Sequence, residues 1–533
     1  MRGSGGDAVY EALQALGVRH VFGIPSQQNL ALYDAFARRG GIELVGARHE
    51  QGAVHAADGY ARTTGRLGVA IVSTGPGTTN AVSGLYEAGF ASSPVLLITT
   101  QIDRCWLGKG KGFIHEADNQ LAMLRTVTRR AERVEQGDAI AGTILSLARE
   151  ALSGRPQPVA VEIPTDLLAA PADPGALAVL PPLRPVPDEA LLMQAAERLM
   201  AAQRPLLWLG GGAQHAAPVV RRLAERLGCP VVSSNNGRGV VASDDPLYVG
   251  NQTHYPQFRP FLEQADLVLA IGARFQAVPT WYWSLPVRHL IHIDADPGVL
   301  NRSYPADLAI AGDAGLAAER LLALLPRPPS VDPTFRAAAT ATKAALRANV
   351  DGKISAEHKA LCDIIDLVLP ADRNIVCDAT LVTSTWGYNR LPIRQPRSAV
   401  ASTSMAIGPA LPLGIGAALG TARRTLVMHG DGGVMLSLGE IATAVDAKAP
   451  VILCIFNDRG YGILRHLQAN STQRQFAVDL HTPNFHALGL AMGVPSAFAD
   501  SPASFEEALS DAVRRDGPTL IEIDLTALGK LSH

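Results

Sequence analysis

The sequence predicts an α/β protein made of three doubly wound parallel-sheet domains. Runs of branched aliphatic residues recur along the 533 residues, each stopped by Gly, Pro or a polar side chain. Amphipathic segments of helical period separate those runs, and two proline-rich breaks divide them into three groups. Fully apolar strands alternating with helices indicate parallel sheets covered on both faces.

The first group holds the strand runs HVFGIP (20–25), IELVGARH (42–49), GVAIVSTGPG (68–77), PVLLITT (94–100) and PVAVEIP (158–164). Helices are expected between them over 52–64 and 79–92. A Pro-rich stretch near 168–187 reads as a linker. The second group is PLLWLGGG (205–212), CPVVSSN (229–235), ADLVLAIGARF (265–275), HLIHIDAD (289–296) and DLAIAGDA (307–314), closed by LLPRPPSVDP (324–333). The third is NIVCDAT (374–380), TLVMHGDGG (425–433), PVILCIFND (450–458) and TLIEIDL (519–525). The expected domains are 1–170, 188–328 and 350–533.

Composition narrows the function. Hydrophobic residues are 47% and charged residues 18%, which supplies large cores and excludes a disordered chain. A formal net charge of -2 and 5% aromatics give no footprint for nucleic acid or for a charged membrane surface. The uncharged stretch 398–422 is long enough to span a bilayer, but its prolines and glycines make it a buried turn and helix. Five scattered cysteines without CxxC, and histidines without HExxH, offer neither a disulfide framework nor a zinc site. The N-terminus lacks an apolar signal core, so a cytoplasmic enzyme is expected.

The strongest chemical motif is Gly430-Asp431-Gly432-Gly433, which closes an apolar strand and opens the helix-like segment VMLSLGEIATAVDA. Asn457 ends the next strand in FNDRGYG. Glycines beside a helix start let backbone N–H groups approach a phosphate. A carboxylate and an amide oxygen on adjacent strand ends suit Mg²⁺, which keeps water and phosphate oxygens as its other ligands.

GDGG(…)NDRGYG resembles the cofactor motif of the thiamine diphosphate (ThDP) enzymes of the acetolactate synthase, pyruvate decarboxylase and benzoylformate decarboxylase group. GIPSQQNLALYDAF (23–36), ARHEQGAVHAADGYART (47–63) and STGPGTTNAVSG (73–84) resemble the pyrimidine-binding domain of that family. GARF (272–275) with HIDAD (292–296) resembles its central Rossmann-like domain, and AIGPALPLGIGAALG (406–420) the stretch before its diphosphate-binding motif.

The resemblance implies ThDP and Mg²⁺ as cofactors. It implies that Glu50, at the end of the 42–49 strand, is the carboxylate that hydrogen-bonds the pyrimidine and promotes ylid formation. Such a carboxyl needs an apolar site that raises its pKa or lets it share a proton; without the resemblance, Glu50 reads as the cap of a surface helix. Asp431, Asn457 and the Arg459 carbonyl become the Mg²⁺ ligands. Gly430, Gly432 and Gly433 hold the diphosphate, and Tyr461 and Gly462 are further cofactor-binding residues. Ile407 is the apolar wedge that bends the cofactor, and Pro25, Pro76 and Asn80 lie near the pyrimidine. Because the family assembles its sites between subunits, a homodimer or a dimer of dimers (a homotetramer) is implied.

The family's reactions begin with a 2-oxo acid that loses CO₂ to give an enamine. Here Ser73 stands where benzoylformate decarboxylases carry a catalytic histidine. Ile114-His115-Glu116-Ala117 stands near the His-His pair of pyruvate decarboxylases, whose glutamate is replaced by Leu464. Acetolactate synthases carry a Gln-Glu pair where this chain has His115-Glu116, and no flavin site is supported. GKGKGFIHEADNQ (108–120) most resembles an acetolactate synthase-like branch with a Leu-His-Glu motif, which includes a decarboxylase of a guanidino 2-oxo acid.

His115 is then a candidate proton donor or acceptor, or equally a partner of Glu116 or of loop backbone. Gln27 and Gln28, with Ser73, are candidates for the substrate pocket, unless they cap the following helix; Ile463 and Leu464 are candidates for its apolar wall. The expected activity is non-oxidative decarboxylation of a small-molecule 2-oxo acid. The alternatives are a carboligase that joins the enamine to a second 2-oxo acid or aldehyde, and a non-catalytic ThDP-binding paralogue. A dinucleotide oxidoreductase is disfavoured because LGGGAQ lacks GxGxxG spacing.

Overall fold

The computed structural model describes residues 3–532. It contains three six-stranded sheets, parallel throughout, and one two-stranded antiparallel ribbon joining Gly3–Ser4 to Pro171–Ala172. In the first sheet the strands are, in chain order, His20–Gly23, Glu43–Gly46, Gly68–Val72, Val95–Gln101, Arg130–Arg133 and Val159–Pro164. Across the sheet they lie second, first, third, fourth, sixth, fifth.

The third sheet repeats that order with Asn374–Cys377, Ala399–Ala401, Thr425–Gly430, Val451–Asn457, Ser496–Ala499 and Thr519–Asp524. The central sheet is wound differently. Its strands, from Pro205–Leu209 to Leu308–Ala311, lie third, second, first, fourth, fifth, sixth. Each order reverses direction beside the first strand, and that reversal opens a crevice at the strands' carboxyl ends where ligands bind.

Within the three six-stranded sheets, four strands escape the sequence pattern: Arg130–Arg133, Tyr248–Gly250, Ala399–Ala401 and Ser496–Ala499. All four lie at sheet edges and are only three or four residues long. An edge strand contacts one neighbour and needs no continuous apolar run, so periodicity does not find it. Interior strands such as Gly68–Val72 and Val95–Gln101 are buried throughout.

Residues 173–188 form no helix or strand before Glu189–Ala201 begins. The expected third-domain start at 350 falls inside the 21-residue helix Pro333–Lys353. The uncharged stretch 398–422 forms an edge strand, a loop and the helix Ala410–Thr421. Among the described residues no helix is long and apolar enough to cross a membrane.

The first and third domains pack through two helices, Glu50–Thr64 and Ala410–Thr421. Glycine lets their backbones touch: a Cβ at Gly416 would overlap the Ala56 carbonyl, and one at Gly59 the Leu413 carbonyl. Polar groups lock the same joint. Glu440 accepts the N–H groups of Arg48 and His49 at 3.2 and 3.0 Å, capping the Glu50–Thr64 helix from the third domain. Glu87, 1% exposed, accepts from Arg62 at 2.8 Å and from the N–H groups of Thr403 and Ser404 at 2.7 and 2.9 Å.

Candidate active site

Two groups of predicted residues lie at two switch points. In the first domain the crevice lies between the ends of His20–Gly23 and Gly68–Val72. Ser73 follows the second of these strands, and its hydroxyl donates to Gln28 Oε1 at 3.2 Å. His115 Nδ1 lies 3.5 Å from the same hydroxyl. Gln28, Ser73 and His115 are therefore brought together, while Gln27 is exposed on the adjoining turn.

His115 does not hydrogen-bond Glu116. The Glu116 carboxylate instead accepts the N–H groups of Gly112 and Phe113 at 2.8 and 2.9 Å and closes its own loop. The His115 carbonyl lies 3.3 Å from Thr74 Oγ1 and over Gly75, where a Cβ would be 2.8 Å away. Gly75 has φ +63°, and Gln120 accepts both its N–H and the Thr74 hydroxyl, at 2.8 and 2.9 Å. Thr74 and Gln120 escape a reading by motif because their work is to fix a turn.

Glu50 opens the helix Glu50–Thr64, four residues beyond a strand that ends at Gly46. This corrects the longer strand expected over 42–49; His49 caps the helix, its Nδ1 accepting from the Gln51 N–H at 3.2 Å. Asn80 Nδ2 donates to Glu50 Oε2 at 3.0 Å, which unites two predicted residues. A Cβ at Gly77 would stand 3.2 Å from both Glu50 Oε1 and Ser73 Cβ, so Glu50 and the Ser73 group flank one spot. Within one chain Glu50 is half-buried beside polar Asn80. Pro25 and Pro76 are exposed at its rim, Pro76 as the first residue of the helix Pro76–Ala91.

In the third domain Gly430 ends its strand and Asp431 begins a one-turn helix, Asp431–Val434. The helix expected to run on from the motif stops there and resumes as Glu440–Asp446. Asp431 is 1% exposed, and its Oδ2 accepts the Gly460 N–H at 2.7 Å. Burial raises its pKa; burial and the neighbouring Asp431 charge raise that of Asp458.

Asn457 ends the adjacent strand. Its Nδ2 donates to Glu522 at 2.8 Å, which fixes the orientation of the amide; Oδ1 takes the Arg459 N–H at 3.0 Å and the Thr482 hydroxyl at 3.5 Å. The Arg459 carbonyl departs from expectation. It accepts the Leu480 N–H at 3.1 Å and Arg465 Nη2 at 2.6 Å, so a metal there would compete with Arg465.

The motif glycines are closely covered by the protein itself. A Cβ at Gly432 would be 2.6 Å from the Tyr461 ring; at Gly433 it would overlap Asp378, and at Gly462 Asp458. Asp378, fully buried and missed by the sequence reading, accepts the Gly408 N–H at 3.0 Å and so anchors the turn that carries Ile407. Ile407 is half-buried rather than part of the core, while Ile463 and the 43%-exposed Leu464 sit on the helix Gly462–Ser471. A cavity of about 370 Å³ lies elsewhere, at the junction of all three domains, and is lined by Gly210, Gly272, Arg274, Asp294 and Arg397 among others.

Comparison with known proteins accounts for both crevices. Residues 3–123 match the N-terminal TPP binding domain of thiamine pyrophosphate enzymes, 192–321 their central domain, and 382–523 their C-terminal TPP binding domain. The chain is 36% identical over 527 residues to a probable 2-ketoarginine decarboxylase of Pseudomonas aeruginosa, covering 97% of this chain and 93% of that one. The chain belongs to the thiamine pyrophosphate enzyme family.

Two further relatives are acetolactate synthases. The isozyme 2 large subunit of Escherichia coli is 30% identical, covering 98% of this chain and 96% of its own. A probable large subunit from Methanocaldococcus jannaschii is 29% identical, covering 97% and 91%. The residues at the two crevices suit the ThDP of this family. Asp431 and Asp458 crowd two carboxyls in a buried corner that a divalent cation would relieve, and Asn457 offers an oriented oxygen beside them. Glu50 and Asn80 present a carboxyl and an amide at the other crevice.

Proposed function

We propose that this protein is a ThDP- and Mg²⁺-dependent decarboxylase of a 2-oxo acid, working in the cytoplasm as a homodimer or a dimer of dimers. The observation that carries the reading is the meeting of Gln28, Ser73 and His115 in the crevice that also holds the Glu50–Asn80 pair, which supplies an imidazole and a carboxyl to one site. When bound, ThDP would supply the electron sink that lets the 2-oxo acid lose CO₂. Asp431 and Asn457 would hold Mg²⁺ with the diphosphate. The Arg459 carbonyl joins them only if Arg465 lets go of it. Glu50 would hold a proton against the pyrimidine, oriented by Asn80. Gln28, Ser73 and His115 would face the reacting carbon, with Ile463 and Leu464 as the apolar wall.

Glu50 and Asp431 stand on different domains of the chain. The half-buried state of Glu50 supports a site completed by the third domain of a second copy, whose cover would give that carboxyl its apolar surroundings. The relative named for 2-ketoarginine makes a guanidino 2-oxo acid the first substrate to test.

The experiment is a panel of 2-oxo acids with ThDP and Mg²⁺, followed for CO₂ and for organic products, with and without an aldehyde acceptor. Aldehyde with stoichiometric CO₂ is expected. A 2-hydroxyketone or acetohydroxy acid as the main product would favour the carboligase reading, which the acetolactate synthase relatives support. Absence of turnover on every member would overturn both.

A further inference from the structure

We propose that Ser73 is a positioning residue that fixes the tautomer of His115, and that this tautomer commits the reaction to aldehyde release. The inference rests on the decarboxylase reading above. Ser73 is 6% exposed and its hydroxyl has one proton, which it gives to Gln28 Oε1 at 3.2 Å. Toward His115 Nδ1, 3.5 Å away, the hydroxyl can then only accept. With the Gln28 amide oxygen turned to Ser73, Nδ1 carries the ring proton and Nε2 is the nitrogen that gains and loses one. Such contacts are long in a free enzyme and tighten around a bound substrate.

The remaining contacts of His115 hold its backbone and leave the ring to Ser73. His115 sits at φ +63°, an uncommon setting for a non-glycine residue, and its carbonyl lies over Gly75, 3.3 Å from Thr74 Oγ1. The neighbouring Glu116 takes the N–H groups of Gly112 and Phe113 on Oε2 and makes no hydrogen bond to the imidazole. Glu50 flanks the same spot from the other side of Gly77.

The step balances simply. The carbon that has lost CO₂ keeps an electron pair and forms a C–H bond with it. The Nε2–H bond of the imidazolium breaks, the ring becomes neutral with Nδ1–H retained, and water restores the Nε2 proton. In sum, a 2-oxo acid anion and one proton give an aldehyde and CO₂. Where that proton is withheld, the same electron pair attacks an added carbonyl and a 2-hydroxyketone forms.

The test uses the full-length protein with ¹⁵N-labelled histidine, the His115 signals being assigned by loss in His115→Asn. Wild type free of cofactor is expected to show Nδ1 protonated and Nε2 as acceptor. Ser73→Ala should move the population toward Nε2–H. Gln28→Leu frees the Ser73 proton to donate to Nδ1 and should shift the tautomer the same way with Ser73 in place, which covers a failure of Ser73→Ala to fold. With ThDP, Mg²⁺, a 2-oxo acid and an aldehyde acceptor, both variants should lower the aldehyde-to-hydroxyketone ratio about 10-fold.

A wild-type Nε2–H tautomer, or one unmoved by either variant, overturns the positioning role of Ser73. A shifted tautomer with an unchanged product ratio overturns its link to aldehyde release. If wild type liberates no CO₂ from any 2-oxo acid, the decarboxylase reading itself has failed, while the NMR result still judges Ser73.

Discussion

At the residue scale, Glu50 is the most economical test of the proposed chemistry. Glu50→Gln keeps the shape and the Asn80 contact but cannot donate and accept as a carboxyl does. It should leave ThDP binding nearly intact and slow exchange of the cofactor's C2 proton with deuterated water by about 10²-fold or more. Exchange at the wild-type rate would move the role to another group. Asp431→Ala removes the buried carboxyl that takes the Gly460 N–H and should abolish Mg²⁺-dependent retention of ThDP in gel filtration. Cofactor affinity equal to wild type would place the metal elsewhere. The residues at this scale were unequally legible. Asp431 and Asn457 stand in a motif whose spacing carries the chemistry, whereas Asp458 shares that motif yet declares itself only by its closeness to Asp431. Asp378 lies far from any motif, and its hydrogen bond to Gly408 is visible only in the folded chain.

At the scale of elements, the joint between Glu50–Thr64 and Ala410–Thr421 depends on missing side chains. Gly416→Ala pushes a methyl group into the Ala56 carbonyl, where neither helix has a flexible end to move. The expected cost is about 1–3 kcal/mol of folding stability, read as a lower urea midpoint. Gly352→Ala is the matched control: it lies in the exposed end of the helix Pro333–Lys353 with nothing within 4 Å of its Cβ position. That change should stabilise by about 0.5–1 kcal/mol. Equal effects would mean that the close approach does not limit the joint. The same contrast explains which elements periodicity finds. Interior strands must be apolar on both faces and announce themselves, while the polar edge strand Arg130–Arg133 is defined by pairing to Val159–Pro164.

At the scale of the whole molecule, acid should unfold the protein partly through buried histidines. His55 and His358 are 2% and 0% exposed, and burial pushes both pKa values down to about 4. In the unfolded chain they titrate near 6.5, so the native state binds fewer protons in between. Their contribution is fully present above pH 6.5 and is lost as pH falls from 6.5 toward 4, at about 3 kcal/mol for each group. The urea midpoint should drop across that window, and His358→Phe should flatten the drop. A pH profile unchanged by the substitution would show that His358 does not resist protonation. Assembly belongs to this scale as well. If a second chain completes the Glu50 crevice, activity should fall on dilution in step with dissociation seen by light scattering.

The sequence by itself determined the α/β class, the three-domain division, the interior strands and the family, because each rests on local pattern: apolar period, glycine at turns, and a carboxylate and an amide at two strand ends. The tertiary structure decided the rest. It chose a strand order that sets the turn after His20–Gly23 beside the turn after Gly68–Val72, and so joined Gln28 to Ser73, with the loop carrying His115 laid over Gly75. It also gave the Arg459 carbonyl to Leu480 and Arg465. A hydrogen bond between distant residues depends on which strands become neighbours, and that choice is made by packing the entire sheet rather than by any one segment.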